Sequence, residues 1–345
     1  MTLEAAYSTI AAAAIAEVIE RGYAIGPIRG CRLYARGFND TYEFEAGEGR
    51  RYMARLCDRR FRGPANIDYE IAFLRHLQSS GLSVGAPVAD REGGFWRMLE
   101  APEGPREFAL FERLSGRSPL AALHRTGKLD DQTLADVRAL GASLGRMHRA
   151  GESFDAPLSR YRLDGEHLLE RPLAQVLAVV DKTLAAEARD VVGGVRALLA
   201  DRAGALSVGH CHGDNHAANT LIADGANGGL IAGWFDFDDA GPGFLAYDLA
   251  TFLWSFLAFT RGREIGEASR PLWPAFIEGY RQARPIPDAD FAAIGLLVSV
   301  RHINFTGQYA SRIPEWGAAI VSPEWIGAQL RLVRKWEGLV TPAVE

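Results

Sequence analysis

The sequence predicts an α+β, bilobal protein: a small β-rich N-terminal lobe, residues 1–113, and a larger, mainly helical C-terminal lobe, residues 114–345. Three observations predict it. Short β-like runs crowd the first third of the chain, separated by glycine and charge clusters. The texture changes at "SGRSP", Ser115–Pro119, beyond which helical periodicity dominates. One hairpin-like pair, "NTLIAD" and "GGLIAGWFDF" joined by the turn-rich "GANG", interrupts the helical part. At 345 residues the chain exceeds the ~100–200 residues of a single domain, which suits two lobes with room for a sizeable core.

Taken in order, the alanine-rich start "LEAAYSTIAAAAIAEVIE" reads as a helix ended by Gly22. Glu4, Glu17 and Glu20, with no basic leading region, argue against a secretory signal. Strands follow around "RLYARG", "TYEFEAG" and "RYMARL", forming a small antiparallel sheet. "GPANIDYEIAFLRHLQSSG" spaces Ile67, Ile71, Leu74 and Leu77 at steps of four, three and three, a helical stripe with Asn66 as cap and Gly81 as stop. "GGFWRMLE" and "REFALFERL" supply two more strands. In "DDQTLADVRALGASLGRMHRAG", Leu134, Val137, Gly141, Leu144 and Met147 share one helical face. Helical pattern continues from about Leu163 to Ala200 and from Phe244 onward, broken at "RP", "IP" and "SP".

Composition narrows the function classes. With 48% hydrophobic and 23% charged residues and a net charge of -5, the chain is an ordinary globule, and its acidic balance argues against non-specific nucleic-acid binding. Cys31, Cys57 and Cys211 are far apart with no C-x-x-C pair, so a reducing, cytoplasmic setting is expected. No stretch reaches ~18 apolar residues without a charge, so no membrane span is expected.

The densest chemistry lies in "HCHGDNHAANTLI". His212, Gly213, Asp214 and Asn219 form H-G-D-x-x-x-x-N, the spacing of the protein-kinase catalytic loop H-R-D-x-x-x-x-N with Gly in place of Arg. Phosphoryl transfer needs a carboxylate to orient the attacking hydroxyl and an oxygen ligand for magnesium a few residues on. Asp236, 22 positions after Asp214, could supply a second oxygen ligand; magnesium takes one or two carboxylates plus phosphate oxygens. Strand alternation places Asp238 on the same face as Asp236, a candidate acceptor contact.

"HGDNHAAN" followed by "FDFDDAGPGFLAYDLA" resembles the aminoglycoside phosphotransferase and choline kinase group of protein-kinase-like small-molecule kinases. "FDFDDA…YDLA…LW" and "RHINFTGQYASRIPEWG" are most similar to the branch holding bacterial homoserine kinase and stress response kinase A. The resemblance spans nearly the whole chain and implies a protein-kinase-like fold with ATP and magnesium between the lobes. It implies that Asp214 is the catalytic base, that Asn219 and Asp236 hold magnesium, and that His212 and Asp248 steady the loop. Arg55 in "YMARL" would hold nucleotide phosphates, oriented by Glu70, with Arg where protein kinases carry Lys; its planar fork can grip phosphate and carboxylate at once. Backbone amides near Phe38, Asn39 and Asp40 would cover the phosphates, although "ARGFNDTYEFEAG" has no G-x-G-x-x-G. Backbone groups from Phe111 to Leu114, including Glu112 and Leu114, would read adenine.

Blander readings compete. His210, Cys211, His212 and His216 suggest zinc by residue type, but neighbours on an extended segment point to opposite faces, so His210 and Cys211 are expected to pack at a strand end. Arg55 and Glu70 could form a surface ion pair, and Trp254, Trp273, Trp316 and Trp325 could be core. Arg301, His302 and Tyr309 are candidates to reach the acceptor. A cationic acceptor would want acids and aromatics such as Asp238 and Trp254, a carboxylate-bearing one Arg301. The expected reaction is transfer of the γ-phosphoryl group of ATP to a small-molecule hydroxyl (amino alcohol, homoserine-like or aminoglycoside). The rivals are a serine/threonine protein kinase of the stress response kinase A type, a non-catalytic nucleotide binder of the same fold, and a metallohydrolase.

Overall fold

The computed structural model describes residues 3–58, 63–155 and 160–344, which form two compact units. The first runs to Ser115 and includes Asp155 and Arg160; the second comprises Gly116–Phe154 and the chain from Tyr161 onward.

In the first unit, α1 (Ala12–Gly22) precedes β1 (Ile28–Arg36), β2 (Asp40–Ala46) and β3 (Arg50–Leu56); α2 (Pro64–Ser79) is followed by β4 (Trp96–Ala101) and β5 (Gly104–Glu112). The strands make one antiparallel sheet in the order β1-β2-β3-β5-β4. Alternation sends Tyr42, Phe44 and Tyr52 to one face, against Ile15 and Ile19 of α1, while Cys57 and Ala109 pack with Ile67 and Ile71 of α2. Two boundaries differ from expectation. The first helix starts at Ala12, because the Ser8 carbonyl is taken by Arg106 at 3.1 Å and the Ile10 carbonyl by the Tyr42 hydroxyl at 2.6 Å. Those carbonyls serve the sheet instead of a helical turn. The second helix is preceded by Gly63 with Pro64 at its first position, so Asn66 lies inside it.

The second unit contains α3 (Ala121–Thr126), α4 (Asp131–Gly151), a π-helical turn at Glu166–Glu170, α5 (Arg171–Leu177) and α6 (Lys182–Ala203). It continues with β6 (Val208–Cys211), β7 (Thr220–Asp224), β8 (Leu230–Trp234), β9 (Gly241–Phe244), α7 (Leu245–Thr260), α8 (Leu272–Ala283), α9 (Asp288–Ala310), α10 (Ile313–Trp316) and α11 (Pro323–Lys335). β7 and β8 form the expected hairpin. β9 was not legible: "GPGF" lacks strand formers and is extended because it pairs with β6. The helical run expected from Leu163 to Ala200 is interrupted between Leu177 and Lys182, where Asp181 caps α6. α7 and α9 are buried along most of their lengths and form the centre of the unit. Among the described residues no helix is long and apolar enough to cross a membrane.

Candidate active site

The site grows from one buried carboxylate. Asp248, in the first turn of α7, is fully buried and accepts the backbone N–H groups of His212 at 2.7 Å and Gly213 at 2.9 Å. His148 Nε2 lies 3.0 Å from the same carboxylate, and His148 Nδ1 lies 2.8 Å from the Tyr280 hydroxyl. Asn215 adds a bond to the Asp248 carbonyl at 3.0 Å. Three hydrogen bonds to Asp248 thus hold the segment after β6, and His148 braces the carboxylate that accepts two of them.

His212 is fully buried, its ring packed on Trp234 and Phe237. Its Nε2 lies 3.1 Å from the Phe235 carbonyl and its Nδ1 accepts the Asp214 N–H at 3.3 Å, which fits a neutral ring. Burial lowers its pKa despite the nearby charges of Asp248 and Asp214. Gly213 has φ +83, and a Cβ there would stand 2.1 Å from the Asp239 carbonyl oxygen. This contact explains Gly at the position where protein kinases carry Arg.

Asp214 emerges from this frame half-buried. Arg301 Nη2 donates to its Oδ1 at 2.5 Å, His216 Nε2 lies 3.3 Å from Oδ2, and Asn219 Nδ2 reaches Oδ2 at 3.3 Å and the Asp214 carbonyl at 3.1 Å. Burial alone would raise the Asp214 carboxyl, but the charge of Arg301, followed by that of His216, holds it far below the usual carboxylate range. Asp214 is therefore a fixed anion.

Asn219 closes a short helical turn just before β7, and its carbonyl accepts the Phe235 N–H at 3.2 Å, so Asp236 follows directly across the hairpin end. Asp236 has φ 63, a left-handed conformation that Asp tolerates better than most residues. The chain has left the strand there, and the alternation argument that put Asp238 on the face of Asp236 fails: Asp238 lies in a turn, buried, its carbonyl 3.5 Å from the Tyr161 hydroxyl. With its amide nitrogen turned to Asp214, Asn219 has its side-chain oxygen available as a ligand atom. That oxygen and the Asp236 carboxylate are hard donors of the kind that could hold magnesium.

In the first unit, Arg55 and Glu70 are both buried and joined by two bonds, at 2.8 and 2.5 Å, with the guanidinium 4.9 Å above the Phe111 ring. A surface ion pair is excluded. Phe38 and Asn39 lie on the β1–β2 turn, where Asn39 Oδ1 accepts the Asp58 N–H at 3.0 Å. Asp40 sits inside β2, its carboxylate fully buried and 3.3 Å from Arg106. Glu112 ends β5, its N–H bonded to the Ala86 carbonyl at 2.8 Å, and Leu114 follows two residues later.

Several contributors escaped sequence reasoning. Arg301, weighed there as an acceptor contact, is 87 positions from Asp214 yet bonds to it. His216, considered only as a zinc ligand, faces Asp214. His210 and Cys211 pack as expected, His210 edge-on to Phe154 at 5.0 Å and the Cys211 thiol 3.4 Å from the Phe244 carbonyl. His148, Cys211 and Asp248 bring ligand-type atoms within 4.8 Å of one another, but each is engaged by a protein partner. Trp254 lies over Arg301 at 4.8 Å and joins Phe305 and Tyr309 in one aromatic row.

Comparison with known proteins gives the family and the fold. The profile described as the phosphotransferase enzyme family matches residues 31–288. The chain is 36% identical over 335 residues to an uncharacterized protein of Deinococcus radiodurans, covering 96% of this chain and 92% of that one. It is 29% identical over 299 residues to a homoserine kinase of Rhodospirillum rubrum, covering 86% and 83%. Among solved structures, the amicoumacin kinase hAmiN in complex with AMP-PNP, Ca2+ and Ami superposes with a TM-score of 0.72 at 21% identity, covering 94% of this chain and 93% of that one. A microcompartment-associated aminopropanol kinase gives 0.71 at 21% identity, covering 96% and 99%. These two likenesses show a common fold.

Proposed function

The chain belongs to the phosphotransferase enzyme family, and from that premise we propose that it moves the γ-phosphoryl group of ATP to a hydroxyl of a small molecule. The observation that carries this reading is Asp214: an anion fixed by Arg301, His216 and Asn219 on a loop locked by Asp248. Such a carboxylate is a weak base but a well-placed hydrogen-bond acceptor. Phosphoryl transfer through a loose transition state needs orientation of the attacking hydroxyl more than strong basicity.

Asn219 and Asp236 would hold magnesium, which when bound neutralises charge on the phosphates. Arg55 would hold phosphate oxygens while its two bonds to Glu70 keep the fork in place. Backbone amides at Phe38 and Asn39 would cover the phosphates, and backbone groups at Glu112 and Leu114 would read adenine. His212 and Asp248 act by positioning. The names of similar proteins point the acceptor towards amino alcohols, homoserine-like molecules or antibiotics. The reaction would take place in the cytoplasm, where thiols such as Cys31, Cys57 and Cys211 stay reduced.

An ATP-consumption screen with magnesium against hydroxyl acceptors of these classes tests the proposal. Asp214→Ala and Asp214→Asn are both expected to lower turnover by at least roughly 1000-fold while leaving the ATP dissociation constant within a few-fold. The Asn variant matters because its amide oxygen can still accept from Arg301, whereas Ala leaves that buried guanidinium without this partner. Turnover near wild type in a folded Asp214 variant would sink the assignment.

A further inference from the structure

The segment ahead of α1 meets the β1–β2 turn through one buried cation. Arg106, in β5, is only 1% exposed. Its Nε donates to the Cys57 carbonyl at 2.8 Å, and its Nη1 to the Ser8 carbonyl at 3.1 Å and to Glu103 at 3.2 Å. Its Nη2 faces the Leu56 carbonyl at 3.0 Å, the Tyr7 hydroxyl at 3.2 Å and the Asp40 carboxylate at 3.3 Å. Ser8 is itself held, its hydroxyl donating to Glu103 at 2.5 Å. A buried guanidinium needs acceptors for all of its N–H groups, and Tyr7 and Ser8 supply two of them.

Arg36 and Asp40 are the register pair that closes the turn Gly37–Asn39. Arg106 holds the Asp40 side. Tyr7 holds the Arg36 side: its ring lies 4.5 Å from the Arg36 guanidinium above it, and 4.8 Å from that of Arg106. Burial, and after it the Asp40 carboxylate, pushes the Tyr7 hydroxyl up to about 12, so it stays neutral beside the buried pair. The carbonyls of Leu56 and Cys57, which Arg106 also binds, directly follow Arg55, and Asn39 in the turn accepts the Asp58 N–H at 3.0 Å. One hub therefore joins the segment ahead of α1, the turn and the end of β3, all within the first unit.

We propose that Tyr7 is a positioning residue for nucleotide binding: it sets the Gly37–Asn39 turn by contact with Arg36 on one side and, through Arg106, with Asp40 on the other. This rests on the reading above in which that turn covers the ATP phosphates. The coupling is reciprocal, so a nucleotide that favours the set turn also holds the segment Ala5–Ala11 in place.

The experiment uses the full chain with magnesium and the non-hydrolysable AMP-PNP, so that no acceptor is needed. Calorimetry gives the dissociation constant for wild type, Tyr7→Ala, Tyr7→Phe and Ile15→Ala, with thermal midpoints measured alongside. Ile15 is a core residue of α1, and its truncation is the control for lost stability. Tyr7→Ala is expected to weaken binding by about fivefold or more, from the loss of the ring contacts and of one acceptor for Arg106. Tyr7→Phe keeps the ring and should stay within about twofold of wild type. Ile15→Ala should lower the midpoint at least as far as Tyr7→Ala while also staying within about twofold. Hydrogen exchange of the amides of residues 5–11 in wild type should slow several-fold on adding AMP-PNP and magnesium.

An unchanged constant in Tyr7→Ala overturns the inference, as does an Ile15→Ala variant that loses as much affinity. Exchange over residues 5–11 that the nucleotide does not slow overturns it as well, and that readout needs no variant to fold. Asp214-dependent phosphorylation of any acceptor beside an unaltered constant in Tyr7→Ala leaves the phosphotransfer reading standing and removes this one. Failure of the wild-type chain to bind AMP-PNP removes both.

Discussion

Gly213 shows how one missing side chain shapes the candidate site. A Cβ would stand 2.1 Å from the Asp239 carbonyl oxygen, and the φ of +83 is unfavourable to any other residue. Gly213→Ala must therefore shift either the catalytic loop or the turn after β8. We expect destabilisation of about 2–4 kcal/mol and at least a roughly tenfold fall in kcat. Thermal unfolding and single-turnover kinetics on the same preparation check both, and an unchanged kcat would mean that the loop's position is less critical than argued. Residue types and spacing singled out Asp214, Asn219 and Asp236 as candidates. They did not reveal that Arg301 and His216 hold Asp214, because a contact across 87 positions leaves no trace in local pattern.

At the scale of elements, α4 and α8 touch backbone to backbone. A Cβ on Gly279 would lie 1.9 Å from the Arg138 carbonyl oxygen, and one on Gly141 would lie 2.0 Å from that of Phe276. The apolar stripe of α4 was legible, but Gly141 within it reads as a weak spot until the partner helix is known. The crossing bears on the site as well, since Tyr280 of α8 meets His148 of α4, and His148 meets Asp248. Gly279→Ala is expected to destabilise the fold by about 1–3 kcal/mol and to lower kcat through this relay. Urea denaturation beside steady-state kinetics gives the test; a variant as stable as wild type would show that the helices separate without penalty. Strand and helix existence followed from periodicity. Ends were less legible: α1 starts late because carbonyls at Ser8 and Ile10 are claimed by Arg106 and Tyr42, and β9 exists only through its pairing with β6.

Acid sensitivity is a property of the whole molecule. His302 is buried in the aromatic row; burial, with the Arg301 charge beside it, depresses its pKa to about 3 from the usual 6.5. Between those values the unfolded chain takes up a proton that the folded one refuses. Its contribution to stability is complete above pH 6.5 and is lost as pH falls towards 3. His302→Gln should flatten the stability-versus-pH slope over pH 6.5 to 4 by up to about 1.4 kcal/mol per pH unit. Denaturation midpoints at several pH values compare the slopes, and parallel curves would assign acid sensitivity elsewhere.

By itself the sequence determined the class of fold, the strand-rich first part and helical second part, and the loop that carries Asp214 and Asn219. Each of these rests on local periodicity or on short-range spacing, which a linear chain displays directly. Only the tertiary structure decided the environment of those groups: the buried Arg55–Glu70 pair, the Asp248 anchor under the loop, the glycine contact at Asp239, and the buried guanidinium of Arg301 bonded to Asp214. The reason is physical. Burial, charge pairing and hydrogen-bond satisfaction depend on residues far apart in sequence that packing brings within a few ångströms, and they set which groups are charged and which are fixed.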